Sequence, residues 1–176
     1  MVTNLIKTPE EAIKSLKEFH VSFLYLPANV KDNKDVALAA AKDNGLNLRF
    51  MKEDFLKDKD IAIASLSKNG DGYEYWDNSL KEDVELAKMA IEKDGLNLGY
   101  SPESIRKNKE ICMLAIKQNA SSYSFIDENL KKDEEIKVLY EKEQSLQIDE
   151  FSKSVSNKLS LWDKAITEEE DEEEEM

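Results

Sequence analysis

The feature that most constrains this chain is a spacing of 25 residues that brings six stretches into register without a gap. One column of that register reads Thr8, Asn33, Asp58, Asp83, Asn108 and Asp133. Every member has a side-chain oxygen able to accept from the free N–H groups of a helix's first turn. Two residues later stand Glu10, Asp35, Asp60, Glu85, Glu110 and Glu135, all acidic, where the positive end of a helix dipole favours a carboxylate. Pro9 takes the first helical position of the first unit, where a missing N–H is harmless.

The stretch after each cap has a helical period. Val36, Ile61, Leu86 and Ile111 begin the apolar face, and Leu16, Leu66, Ile91 and Ile116 continue it. Between them lie small residues: Ala12, Ala37, Ala62, Ala87 and Cys112 in one column, and Ser15, Ala40, Ser65, Ala90 and Ala115 in another. Small side chains at this spacing let neighbouring helices approach closely. A third column, His20, Gly45, Gly70, Gly95, Ala120 and Ser145, stands where each helix of about eleven residues stops. Glycine there reads as a left-handed cap.

The second half of each unit has two readings. Apolar columns run through Phe23, Leu48, Tyr73, Leu98 and Tyr123, then Tyr25, Phe50, Tyr75, Tyr100 and Phe125, then Val30, Phe55, Leu80, Ile105 and Leu130. Positions 48, 51 and 55 share a helical face, and Ser101-Pro102-Glu103 has the form of a cap and first turn. These favour a short second helix or two linked helical turns. The alternative is a strand through Leu46, Leu48 and Phe50, which would make a leucine-rich-repeat-like α/β horseshoe. The expected fold is all-α: a right-handed α-solenoid-like array of about six units over residues 1–145, starting near 8, 33, 58, 83, 108 and 133. From Leu146 the columns fail. Leu146, Phe151, Val155, Leu159, Trp162 and Ile166 predict a capping helix over 146–166, followed by a disordered acidic tail over 167–176.

The strings Asn33-Lys34-Asp35-Val36-Ala37-Leu38-Ala39-Ala40-Ala41-Lys42-Asp43-Asn44-Gly45 and Lys107-Asn108-Lys109-Glu110-Ile111-Cys112-Met113-Leu114-Ala115-Ile116-Lys117-Gln118-Asn119 resemble a bacterial repeat family, "domain of unknown function 4116". The resemblance covers about residues 26–140. It implies units of about fifty residues, each equal to two of the 25-residue steps. Ala120 and Ser145 depart from the glycine of that pattern, and the sixth unit lacks its alanines. The resemblance implies no catalytic or binding residue.

Charge and residue counts narrow the functions. Residues 168–175, EEEDEEEE, hold eight of the net thirteen negative charges, which leaves a mildly acidic body. A chain with this balance and no basic block is repelled by phosphate backbones, so direct nucleic-acid binding is not expected. The one histidine, His20, and the one cysteine, Cys112, are too few for a zinc site of ordinary composition. A nucleophilic triad would have to use His20, which falls in a helix-end column, and Cys112 falls in the small core column. "SKNGDGYEYWDN" from Ser67 has a calcium-loop outline, but Ser67 and Asn78 stand where the first and last carboxylates belong. No apolar run is long enough to span a bilayer, and the single cysteine suits a reducing, cytoplasmic setting.

The expectation is therefore a non-enzymatic module without cofactor or metal that binds a protein partner through a repeat face. The alternative is an acidic inhibitor, immunity-type protein or nucleic-acid mimic that blocks a basic enzyme. Candidate contact residues are Tyr75, Trp76 and Tyr100, with Tyr75 and Trp76 as the exposed exceptions to an aromatic core ladder. In the tail they are Glu168, Glu169, Glu170, Asp171 and Glu172.

Overall fold

The structure, a computed structural model, describes residues 6–19, 21–67 and 70–174, with side chains described through residue 162. Its described residues form helices, turns and bends and contain no strand. Five helices begin at the expected caps: α1 (Pro9–Phe19), α3 (Lys34–Asp43), α5 (Lys59–Ser65), α7 (Val84–Lys93) and α9 (Lys109–Gln118), with α1 packed on α3, α3 on α5, and α7 on α9. The caps act as the sequence predicts. Asn33 Oδ1 accepts from the amides of Asp35 and Val36 at 2.9 and 3.2 Å, and Asp58 and Asp83 make the same pair of bonds.

The segment after each long helix is two linked helical turns. A 3-10 segment comes first: Phe23–Tyr25, Gly45–Phe50, Tyr73–Tyr75, Gly95–Tyr100 and Ala120–Phe125. The first four are followed by one four-residue α-helical turn each: α2 (Ala28–Lys31), α4 (Glu53–Leu56), α6 (Asn78–Lys81) and α8 (Glu103–Arg106). The fifth leads to a further 3-10 turn, Leu130–Lys132. The α/β horseshoe alternative is thereby corrected. Leu46 and Leu48 do fall on different sides, with Leu46 38% exposed and Leu48 fully buried, but a 3-10 turn produces that alternation here.

The small columns explain how the long helices stack. Within α7, Leu86 and Ala90 join the core formed with the preceding units, and Ala87 and Ile91 join the core formed with the following one. Each pair is four residues apart and so shares one helical face. A middle helix is thus apolar on two adjoining faces, and the alanines keep it close to both neighbours.

Gly45 and Gly95 are not left-handed caps. The helices α3 and α7 end on extended Asn44 and Asp94, whose side chains accept from Leu46 and Leu96 at 2.9 Å. Only Gly70 has a positive φ, 79°. The requirement at 45 and 95 is space. A Cβ on Gly45 would lie 2.5 Å from the carbonyl oxygen of Ser65, and one on Gly95 would lie 2.5 Å from that of Ala115. These are carbonyls near the end of the next long helix, α5 or α9, so the 3-10 segment lies directly against the following unit's backbone.

Buried asparagines sit beside these contacts. Asn47 donates to Ala40 O at 3.0 Å and accepts from the Phe23 amide at 3.2 Å, joining its own helix to the preceding unit. Asn97 donates to Ala90 O at 2.9 Å and to Gly70 O at 3.3 Å. At the helix starts, Lys34 lies 2.7 Å from Asp58 and 3.2 Å from Asp60. Lys109 lies 2.8 Å from Asp133 and 2.9 Å from Glu135. Exposed pairs like these add more to register than to stability.

The C-terminal region departs from the expected division at residue 146. One helix, α10, runs Glu134–Glu174. It starts at the sixth cap, Asp133, and continues through position 145 and through the span assigned to an acidic tail. No Gly or Pro occurs after Pro102, so nothing in the local sequence breaks it. Its first turns pack on the array: Ile136 is fully buried, and Tyr140 stacks on Tyr123 with ring centroids 4.1 Å apart.

The close approach at the glycines gives a sharp contrast. Gly45→Ala or Gly95→Ala should destabilise the fold by about 1–3 kcal/mol, because backbone must move. At Gly99 the nearest obstacle is the partly exposed Phe125 ring, which can swing aside. Gly99→Ala should therefore cost under about 1 kcal/mol. Urea denaturation of the three variants measures this.

Candidate interaction surface

Beside their core faces the long helices carry partly exposed apolar residues. In α3 the buried residues are Val36, Ala37, Ala40 and Ala41. Leu38 and Ala39 are half-buried, packed at the edge of the core with one side toward solvent. The same two columns hold Ile13 in α1, Ile63 and Ala64 in α5, Met89 in α7, Met113 and Leu114 in α9, and Val138 and Leu139 in α10. Met89 is 39% exposed and Val138 58% exposed. The stripe thus crosses six successive helices.

Grooves between adjacent helices cut this stripe. One, of about 430 Å³, has Ile13, Leu38 and Ala39 as its floor and Lys17, Asp35 and Lys42 on its rim. Another, of about 260 Å³, has Met113 and Leu114 with Lys88, Glu110 and Lys117. An apolar floor with both signs of charge at the edge suits an amphipathic segment. The sequence carried a signal for this face. Columns 13 and 14 of the register are apolar except at Lys14 and Lys88, in addition to the core columns, a stripe wider than a single buried face.

The aromatic residues named from sequence fall elsewhere, and they separate. Trp76 is buried, not exposed. It shares the column of Leu26, Met51 and Ile126, all buried. Its Nε1 donates to Ser65 Oγ at 3.0 Å, and its ring meets Tyr73 edge-on at 5.0 Å. The small residues Ser65 and Gly72 leave room for the indole. Tyr75 is half-buried against the core and Tyr100 is 49% exposed.

The ladder Tyr25, Phe50, Tyr75, Tyr100 and Phe125 is not inter-repeat core either. Tyr25 is 64% and Phe125 37% exposed, so the ladder forms a rim. The core aromatics are two residues earlier, Phe23 and Tyr73, both essentially buried. Lys81 explains part of this order. Its ammonium lies over the Tyr73 ring at 5.6 Å and donates to Glu74 O at 2.8 Å, and burial lowers its pKa. Lys31 and Lys131 repeat the arrangement over Phe23 and Tyr123. Glu168, Glu169, Glu170, Asp171 and Glu172 fall within the span of α10, and their side chains lie outside the described residues.

The groups able to do covalent chemistry are held in structural roles. Cys112 Sγ lies 3.2 Å from Arg106 O, and burial, with Asp127 nearby, pushes its thiol up to about 12. Ser65 Oγ donates to Ala62 O at 2.6 Å while accepting from Trp76. Burial pushes the Tyr73 hydroxyl up to about 12, against a 2.9 Å hydrogen bond with Ser101. His20 lies outside the described residues. Among the described residues no three His, Cys, Asp or Glu side chains are grouped to hold a metal ion, and no helix is long and apolar enough to cross a membrane.

The family model described as "Domain of unknown function (DUF4116)" matches the chain twice in tandem, over residues 33–81 and 83–131, together more than half of its length. No curated protein and no solved structure matches it. Each matched span joins a half containing Gly-Leu-Asn-Leu to a half containing a Tyr covered by a Lys: Gly45 and Asn47 with Tyr73 and Lys81, then Gly95 and Asn97 with Tyr123 and Lys131.

Two measurements check these placements. Cys112 should resist a maleimide at pH 8 in the folded chain and react at the rate of a free thiol in urea, because the thiolate is the nucleophile and burial suppresses it. Trp76→Ala should cost about 3–5 kcal/mol of stability. Tyr100→Ala should cost under about 1 kcal/mol, since the ring is half in solvent.

Proposed function

The chain belongs to the DUF4116 family, and we propose that it is a non-enzymatic protein-interaction module, a right-handed α-solenoid-like array of about six 25-residue helical repeats that binds a protein partner along the outer face of its long helices. The observation that carries this reading is the apolar stripe across six helices, from Ile13 through Leu38, Ile63, Met89 and Met113 to Val138. Apolar side chains left at the surface in a continuous line are a common mark of a binding face. Repeat arrays use such extended faces for partners because each unit adds a similar increment of surface. The grooves favour an amphipathic helix or extended peptide whose apolar residues enter between helices and whose charges meet the mixed rim of lysines and acids. The single buried cysteine suits a reducing compartment such as the cytoplasm.

The immobilised chain, exposed to extract from its source cells, should retain a protein that the double variant Leu38→Asp, Met113→Asp retains at least tenfold less. Both forms should keep the helical circular dichroism of the wild type. Equal retention by the folded variant would refute the stripe as the binding face.

A second reading, an acidic inhibitor or nucleic-acid mimic acting on a basic enzyme, draws on the charge concentrated in residues 168–175. It requires affinity that falls steeply with salt. Deleting residues 168–176 separates the two. The interaction-module reading predicts unchanged affinity and salt dependence for the captured partner, and the inhibitor reading predicts that both collapse.

A further inference from the structure

The helix α10 leaves the array and carries an unpartnered apolar line of its own. Every residue from 145 to 162 is exposed. At 1.5 Å per residue this stretch extends about 27 Å. Ile148, Phe151, Val155, Leu159 and Trp162 are 61%, 71%, 39%, 51% and 68% exposed. They are separated by three, four, four and three residues, so they share one face and repeat on average every 3.5 residues, the period of a coiled-coil seam.

We propose that this line is a self-association surface, on which α10 packs antiparallel against α10 of a second copy about a two-fold axis at Val155. Three observations carry it. The spacing is symmetric about Val155. In the antiparallel pair Val155 meets its own copy, Phe151 meets Leu159, and Ile148 meets Trp162. The two outer contacts each join a ring to an aliphatic side chain, and each residue meets its partner reciprocally, as a self-complementary two-fold interface needs. A parallel pair would instead oppose two tryptophans and two phenylalanines, and it would bring both EEEDEEEE segments side by side.

The flanks of the line fit a second copy of the same charge. Ser145, Ser152 and Ser156 border one side, with Gln147, Ser154 and Lys158 on the other, so among residues 145–162 one charged residue borders the seam in a chain that is 36% charged. In the antiparallel register Lys158 falls opposite Ser152, and like charges do not meet. An anionic lipid surface is a poorer match, because Asp149 and Glu150 sit on this helix and the whole chain carries −13.

The area is also appropriate. Phe151 and Trp162 each offer on the order of 100–170 Å² at their exposures. With the aliphatic members and seam flanks, the line approaches the roughly 800 Å² per partner of a standard interface. A groove of about 310 Å³ extends the seam toward the array, between Ala120 and Ser121 on one side and Tyr140, Gln144, Ile148 and Phe151 of α10 on the other. The antiparallel register delivers Trp162 of the second copy opposite Ile148, at the mouth of this groove.

Sedimentation equilibrium of the full chain tests the proposal. The wild type should be a dimer at micromolar concentration. Val155→Asp, which sets two carboxylates together on the axis, should weaken association at least tenfold. Leu161→Asp, at a residue more exposed than Val155 but off the line, should leave it unchanged. Val155→Cys should oxidise to a covalent dimer. Ile148→Cys should cross-link to Trp162→Cys in a mixed sample and not to itself. The proposal is overturned by a wild type that stays monomeric to about 100 µM, by equal effects of Val155→Asp and Leu161→Asp, or by self-cross-linking of Ile148→Cys. It is also overturned by a monomer that binds vesicles of phosphatidylcholine and phosphatidylglycerol through this helix.

Discussion

The array depends on a backbone-to-backbone approach that only glycine permits. At Gly45 and Gly95 the 3-10 segment of one unit lies against a carbonyl near the end of the next long helix, with no room for a Cβ. That contact fixes how far each unit stands from the next. The alanine columns then follow, since helices held at this distance must present small residues to each other: Ala37, Ala62 and Ala87 on one column, Ala40 and Ala90 on another. Asn47 and Asn97 tie the same segments to the preceding unit, Asn47 by accepting from the Phe23 amide and Asn97 by donating to Gly70 O, and polar groups left unpaired there would cost about 1–3 kcal/mol each.

The same constraint accounts for the 50-residue period laid over the 25-residue one. Halves with Gly45 or Gly95 pair a tight turn with a core leucine, Leu48 or Leu98. The alternate halves place Phe23, Tyr73 or Tyr123 in that column and cover the ring with Lys31, Lys81 or Lys131. The two kinds of half bury different volumes by different means, and the pair is the repeating unit that the family match follows. Regular spacing of the core also makes the surface regular. The apolar line from Ile13 to Val138 arises because each of these helices carries an apolar residue in at least one of the same two columns, at the edge of its core face.

Much of this was legible before any coordinates. The six caps, the acidic first turns and the small core columns depend on local chemistry and on a period, and sequence displays both. What escaped was distance and direction. A glycine after a helix reads as a left-handed cap, yet Gly45 and Gly95 serve a contact with a unit 20 residues further on, which no local pattern reveals. Trp76 was assigned to solvent because it lies beside Tyr75. One step in a 3-10 turn is enough to move a ring from rim to core. The end of the sixth helix was placed at Ser145 by extending the repeat, but a serine without a following Gly or Pro does not stop a helix, and α10 continues. The partly exposed stripe at columns 13 and 14 is hard to read from sequence, because apolar residues at helical spacing look the same whether they are wholly or partly buried.

The central claim is that neighbouring units are locked by side-chain-to-backbone bonds at these close junctions, and the Phe23 amide reports on it most directly. Hydrogen exchange at that amide should be as slow in the wild type as exchange within α3, because Asn47 of the next unit holds it in the core. In Asn47→Ala it should accelerate at least tenfold while amides in α9 are unaffected. Rapid exchange at Phe23 in the wild type, or exchange indifferent to Asn47, would contradict the account.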